Sequence, residues 1–194
     1  MTLTYRRDKT AIPVELFSDD DWANNTEDRK SISGIVVRVY ENAVAWLTKR
    51  QIVVAKSSAA AESIAASLGV EEARWTRMLV QSLTGKKVPA VLVHIDNRST
   101  IARIVNGRSS EAQKTIDCMF FDVKDAHKRG EIAIKYCPTE IMLADGLTNA
   151  LGSQRFKLMQ RLIGLNEEGT SWRRTSVMPT SLHARHGHHV AGRC

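Results

Sequence analysis

The run Ala90-Val91-Leu92-Val93-His94-Ile95-Asp96-Asn97 constrains this chain more than any other stretch. A near-continuous apolar segment of strand length reads as a strand buried on both faces, since a half-exposed strand would alternate with polar residues. It breaks off at an aspartate, and the helix-like pattern Asn97-Arg98-Ser99-Thr100-Ile101-Ala102-Arg103-Ile104-Val105 follows at once. Asp96 is thereby delivered to the rim of a sheet, where α/β layers build their sites. Taken alone it also reads as a turn residue or a helix N-cap. Three other carboxylates, each near the end of a separate element, set the sharper reading beside that one.

Upstream, Pro13-Val14-Glu15-Leu16-Phe17-Ser18-Asp19 alternates apolar and polar residues and ends in three acids, Asp19, Asp20 and Asp21, before Trp22. It reads as a first strand. The polar, turn-rich residues 23–32 form an exposed loop whose Arg29 and Lys30 can reach a phosphate. Two β-rich runs, 33–40 and 43–50, are joined by Glu41-Asn42 and make a hairpin, so the first strand becomes one of three antiparallel strands. Residues 52–56 extend the third strand or bridge to the next element. Ser57-Ser58 opens a long helix in which Ala61, Ile64, Ala65, Leu68, Ala73, Trp75, Met78, Leu79 and Leu83 recur at spacings near three and four. Serine is a natural N-cap there. Glu62 falls in the first turns of that helix, where the macrodipole alone would account for an acid. Gly85 to Pro89 stops the helix and leads into the central strand.

Downstream, residues 111–129 read as a helix with Ile116, Met119, Phe120, Val123 and Ala126 on one face, ended by Gly130. Glu131 to Cys137 alternates as a last strand, closed by Pro138. A further helix is expected from Thr139, with Asp145 near its N-terminal half, where it could be an ordinary solvated residue. Phe156, Leu158, Met159, Leu162 and Ile163 mark a final amphipathic helix stopped by Gly164. From Asn166 the periodicity vanishes. The stretch holding Arg173, Arg174, Arg185 and Arg193 and the histidines His183, His186, His188 and His189 reads as a basic, disordered tail without a frame for a metal.

At 194 residues, 43% hydrophobic and 25% charged, the chain has the makings of one core with extensions. A net charge of +7 fits a polyanionic partner, nucleic acid before membrane. No run of 18 apolar residues exists, and the first nine residues contain no apolar h-region, so an intracellular protein, cytoplasmic or nuclear and not secreted, is expected. Cys118, Cys137 and Cys194 are odd in number and lack a CxxC, which argues against a disulfide framework and a zinc site.

The element order of three antiparallel strands, a helix, a strand, helices, a strand and a terminal helix suits an α/β layer fold with a mixed five-stranded sheet flanked by helices. Asp19, Glu62, Asp96 and Asp145 can then meet in one cluster. Carboxylates of that number suit two hard divalent cations about 3.5–4 Å apart, an arrangement that activates water and steadies a leaving oxygen in phosphodiester cleavage.

The segments Phe17-Ser18-Asp19-Asp20-Asp21-Trp22-Ala23, Asp28-Arg29-Lys30-Ser31-Ile32-Ser33-Gly34, Ser57-Ser58 through Glu62, Asp96-Asn97-Arg98-Ser99 and Leu143-Ala144-Asp145-Gly146-Leu147-Thr148 resemble, in order and spacing, the ribonuclease H domain of Ty1/copia-type retrotransposon polyproteins. The resemblance covers roughly residues 3–165. It implies the ribonuclease H-like fold, Mg²⁺ or Mn²⁺ as cofactor, and cleavage of the RNA strand of an RNA–DNA hybrid. Matched motif by motif, it places the catalytic, metal-holding acids at Asp19, Glu62, Asp96 and Asp145. Ser18, Arg29, Lys30, Asn97, Arg98 and Ser99 are the substrate-binding candidates beside them. Residues 1–12 resemble the junction that follows reverse transcriptase and 13–165 the ribonuclease H-like domain, whereas the basic tail 166–194 has no counterpart in that family. Partners implied are the hybrid and other retroelement proteins.

The chain departs from the family pattern at Ala60, where a second acid is usual, at Thr115 and Phe121, where histidines are usual, and at Asn149, where a lysine is usual. None of these is a metal ligand, so slowed turnover is the expected consequence. The alternative expectation is a degenerate or repurposed relic that binds nucleic acid or a protein without cutting. An integrase-like transferase is disfavoured by the acid order Asp, Glu, Asp, Asp.

Overall fold

The computed structural model describes residues 1–6, 8, 10–106 and 114–166. The arginines and histidines of the basic tail, Cys194, and the side chains of Thr115 and Ile116 lie outside the described residues. Along the chain run β1 (Thr2–Leu3), β2 (Val14–Asp20), β3 (Ile32–Val39), β4 (Asn42–Arg50), α1 (Ser58–Thr84), β5 (Val91–Ile95), α2 (Arg98–Asn106), α3 (Lys114–Lys128) and β6 (Ile132–Tyr136). A 3₁₀ turn (Thr139–Ile141), α4 (Asp145–Thr148), α5 (Ser153–Leu162) and β7 (Leu165–Asn166) complete it.

Five strands form one mixed sheet in the order β4-β3-β2-β5-β6. The first three are antiparallel, whereas β5 runs parallel to β2 and β6 parallel to β5. Consecutive residues Tyr40 and Glu41, both at positive φ (48° and 63°), make the tight β3–β4 turn, a two-residue loop whose twist matches that of paired strands. Ser57 caps α1, its Oγ accepting from the Ala60 N–H at 3.2 Å, and Gly85 ends the helix at φ 63°, a left-handed position that suits glycine.

One sheet face is buried under α1 and α3 by Leu16, Ile35, Val37, Val91, Val93 and Ile95 against Ala66, Val70, Ala73, Phe120 and Val123. Small residues bring α1 close: a Cβ on Gly69 would stand 2.8 Å from Leu16 Cδ1. The opposite face is covered by the chain after β6, where Phe17, Val36 and Ala43 pack against Cys137, Met142, Leu143 and Ala144.

Two local expectations change. The single helix expected from Thr139 is instead a 3₁₀ turn and a four-residue helix separated by extended Met142 (φ −68°, ψ 109°). Met142, Leu143 and Ala144 are consecutive and all buried, and a continuous helix would turn one of three successive side chains outward. Glu15, which alternation assigns to a polar face, is buried on β2. Burial pushes its carboxyl up, but His94 Nε2 at 2.9 Å and Arg38 Nη2 at 3.1 Å outweigh it and hold the pKa below the usual value. The sheet's second face thus contains a compensated ionic patch, with the His94 ring stacked on Phe17 at 4.2 Å.

Both ends of the described chain are tied together. Thr2 pairs with Asn166 and Leu3 with Leu165, while Asn42 in the β3–β4 turn exchanges hydrogen bonds with the Arg6 backbone. No helix among the described residues is long and apolar enough to cross a membrane.

Candidate metal centre

Strands β2 and β5 are parallel neighbours, so their C-terminal ends emerge at the same edge, at the point where the sheet changes from antiparallel to parallel connections. Open α/β sheets place ligands at this kind of switch. Asp19 is the sixth residue of β2, and Asp96 follows the last residue of β5. Side chains alternate along β2, so Asp19 shares the face of Phe17, while Asp20 shares the face of Leu16 and meets α1. Glu62, one turn into α1, completes the group from the helix side. One ligand oxygen from each of Asp19, Glu62 and Asp96 lies within 4.8 Å of the others.

The electrostatics of this group are those of acids crowded out of water. Burial raises the Asp19 pKa to about 7, with the neighbouring charges of Asp96, Asp145 and Asp20 adding to the rise and a hydrogen bond from the Thr148 hydroxyl opposing it. Glu62 is 2% exposed, and burial with the nearby acids drives its pKa well above the usual carboxylate value. Asp20 is raised to about 6 by burial, while a hydrogen bond with Glu62 pulls it back. Glu62 Oε1 and Asp20 Oδ2 are buried without a hydrogen-bond partner among the described residues. Buried polar atoms are ordinarily satisfied, so an unpartnered oxygen among like charges marks a place that a cation would stabilise. The donor set is all oxygen and fits a hard divalent ion such as Mg²⁺ or Mn²⁺.

Asp145, the fourth expected acid, stands beside the three, 4% exposed, and its charge is felt by Asp19. Its own oxygens are engaged by the chain: Asn149 Nδ2 donates to Oδ1 at 2.9 Å, and Arg155 Nη2 lies 2.7 Å from Oδ2 as an ion pair without hydrogen-bond alignment. Asp96 accepts from the Thr139 hydroxyl at 2.9 Å.

The substrate candidates are spread around the rim. Arg98 and Ser99 are exposed beside Asp96, with the Arg98 guanidinium 4.3 Å from the Tyr136 ring centre. Asn97 is the cap of α2: its Oδ1 accepts from the Ser99 N–H (3.0 Å), the Thr100 N–H (3.1 Å) and the Ser99 hydroxyl (2.6 Å). The cap considered for Asp96 thus belongs to its neighbour. Arg29 is exposed at φ 55°, and Lys30 lies 3.9 Å from Asp28, which also pairs with Arg50. Ser18 is a correction: it is wholly buried on the α1 face of β2, out of reach of a substrate. Sequence reasoning did not assign roles to Asp20, Thr139 or Arg155. Asp20 had a visible signal, because adjacent acids at a strand end must point to opposite faces. The other two are brought in by the fold from 43 and 10 residues away.

Fold and acidic site together define a ribonuclease H-like domain. LC11-RNase H1, isolated from compost by a metagenomic approach, superposes with a TM-score of 0.53 at 14% identity, covering 71% of this chain and 94% of that one. RNase H1 from Halobacterium salinarum gives 0.50 at 13% identity over 70% and 94%. In sequence, the chain is a distant homologue of copia-type Pol polyproteins. It is 25% identical over 154 residues to the retrovirus-related Pol polyprotein from transposon RE2 of Arabidopsis thaliana, and 27% identical over 150 residues to that from transposon TNT 1-94 of Nicotiana tabacum. These alignments take in 79% and 77% of the chain, which spans 11% of the length of each relative. No family model matches.

Proposed function

We propose that this chain is a divalent-metal-dependent ribonuclease H of retroelement origin that cuts the RNA strand of RNA–DNA hybrids. The observation that carries the reading is the convergence of Asp19, Glu62 and Asp96, one oxygen of the buried Glu62 having no hydrogen-bond partner among the described residues. A protein with this fold, LC11-RNase H1, has been crystallised in complex with an RNA/DNA hybrid.

Asp19, Glu62, Asp96 and Asp145 would hold the metal. When bound, divalent ions supply Lewis acidity, making water a competent nucleophile at neutral pH and offsetting charge on the leaving oxygen. The chain's own part is orientation and proton bookkeeping. Thr148 fixes one oxygen of Asp19 and Thr139 one oxygen of Asp96, which restrains how each carboxylate can turn. Burial holds the Asp19 and Glu62 carboxyls up, so protons would compete with cations for them and metal affinity would rise with pH. Arg98 and Ser99 on one side, and Arg29, Lys30, Lys49 and Arg50 on the other, supply donors for phosphates and hydroxyls. Since hydrolysis itself would serve DNA equally well, preference for RNA must come from contacts to 2′-hydroxyls and groove shape.

Side-by-side digestion of a matched hybrid, duplex DNA and single-stranded RNA, each in Mg²⁺ and in EDTA, tests the reading. Cleavage confined to the RNA strand of the hybrid, metal-dependent and leaving 3′-hydroxyl ends, is expected. Equal cutting of all three overturns it, and no cutting of any in Mg²⁺ or Mn²⁺ leaves a binding relic.

A further inference from the structure

Asp145 differs from the other acids of the cluster in having a cation of its own. Arg155, in the first turn of α5, places Nη2 2.7 Å from Asp145 Oδ2, and the same Nη2 donates to the Thr139 carbonyl oxygen. Thr139 in turn donates its hydroxyl to Asp96 Oδ2 at 2.9 Å. One guanidinium from the last helix therefore touches one acid directly and a second through a single residue. Asn149 fills the remaining oxygen of Asp145. In contrast, Glu62 Oε1 has no hydrogen-bond partner among the described residues, and the three acids whose ligand atoms converge within 4.8 Å do not include Asp145.

We infer that Arg155 is a built-in counter-ion that competes with the second divalent cation: the first ion enters at Asp19, Glu62 and Asp96, and a second is accepted only as Arg155 leaves Asp145. The inference rests on the proposed metal site and specifies how that site fills. A buried carboxylate stripped of its cationic partner is costly, so the arginine and the ion stabilise the same charge and exclude one another. Because Arg155 also holds the Thr139 carbonyl, its release loosens the hydroxyl donor on Asp96. Filling of the second position is thereby linked to the docking of α5. Arg155 is a positioning residue in this scheme, acting through Asp145 and Thr139 and not on the substrate.

Calorimetric and EPR titration of the full chain with Mn²⁺, comparing wild type with Arg155→Met and Arg155→Lys, tests it. Wild type is expected to bind one ion tightly and a second weakly. Arg155→Met should tighten the second ion roughly ten-fold or more, since an uncompensated buried carboxylate then gains a partner only from the metal. Arg155→Lys, which keeps the charge, should stay near wild type. In melting experiments Arg155→Met should be less stable than wild type in EDTA and gain more from Mn²⁺. An unchanged or weakened second ion in Arg155→Met, with the first ion intact, overturns the counter-ion role and leaves Arg155 a fold contact. Absence of any Mn²⁺ binding in all three proteins overturns the metal site and this inference together.

Discussion

At Asp19 a carboxylate is held where water would normally hold it, and the consequence can be measured as stability. Its pKa is about 7 in the folded chain against 3.8 for an ordinary aspartate, so the folded state binds more protons than the unfolded one between those values. Stability tied to this group is full below about pH 4 and is lost as pH rises through 7. Asp20, raised to about 6, and Glu62, pushed well above the usual carboxylate range by burial, act in the same direction. The metal-free protein should therefore melt at a lower temperature at pH 8 than at pH 5, and Mg²⁺ should reverse the loss. Asp19→Asn removes this group's part of the penalty and should stabilise the EDTA-treated protein at pH 8 by on the order of 1–3 kcal/mol. It should also abolish hybrid cleavage and reduce the Mg²⁺-induced gain in Tm. Parallel pH profiles for wild type and variant would show that Asp19 is not held in the strained state described. Asp96→Asn belongs to the same test: it should abolish cleavage without unfolding the chain, since Asp96 is half-buried and Thr139 still has an acceptor in the amide.

Among the elements, the close approach of α4 to the sheet decides whether Asp145 reaches the cluster, and Gly34 on β3 permits that approach. A Cβ there would stand 2.9 Å from the Ala144 carbonyl oxygen and 2.8 Å from Thr148 Cγ2. Gly34→Ala should therefore displace α4, cost about 1–3 kcal/mol by overpacking, and weaken the second metal ion more than the first. A variant as stable as wild type, with unaltered Mn²⁺ stoichiometry, would refute that role. Most elements were legible beforehand because each answers to a local rule. The five long strands follow alternation or continuous burial, the β3–β4 turn follows its polar link, and Ser57 and Gly85 bound α1. The acids were legible as strand-end and helix-start residues, and the fold does bring Asp19, Glu62 and Asp96 to one edge. What was hidden depends on distant partners. Glu15 is inside because Arg38 and His94 compensate it, and no local pattern announces a pairing across 79 residues. The broken helix after Thr139 is set by the face it must cover, and Arg155 by the docking of α5. The pairing of Thr2–Leu3 with Leu165–Asn166 joins segments too short to show any periodicity of their own.

For the molecule as a whole, charge and chain ends separate what binds from what specifies. The stretch 167–194 holds four arginines (Arg173, Arg174, Arg185, Arg193) and two glutamates (Glu167, Glu168), so it contributes +2 of the net +7. Lys30, Lys49, Arg50 and Arg98 remain in the described part beside the acids. A chain ending at Asn166 keeps β7 and its pairing with β1, and with them the seating of α5. Hybrid binding should fall steeply with salt in both forms, because each neutralised phosphate releases counterions, and the truncation should flatten the slope of log K against log salt by about 1–3. Which strand is cut, and the metal-induced rise in Tm, should not change. Removal of residues 1–10 is predicted to act differently. It deletes β1, the Thr4 hydrogen bond to Gly164 and the Arg6 link to Asn42, so it should lower Tm; because these residues carry Arg6, Arg7 and Lys9 against Asp8, also +2, it should flatten the salt slope by a similar amount. The two deletions, compared by melting and by binding at low and physiological salt, should therefore differ in Tm and resemble one another in salt slope. Loss of strand choice on removing 167–194 would instead place recognition in that stretch, and salt-insensitive binding would argue for a protein partner in place of the hybrid.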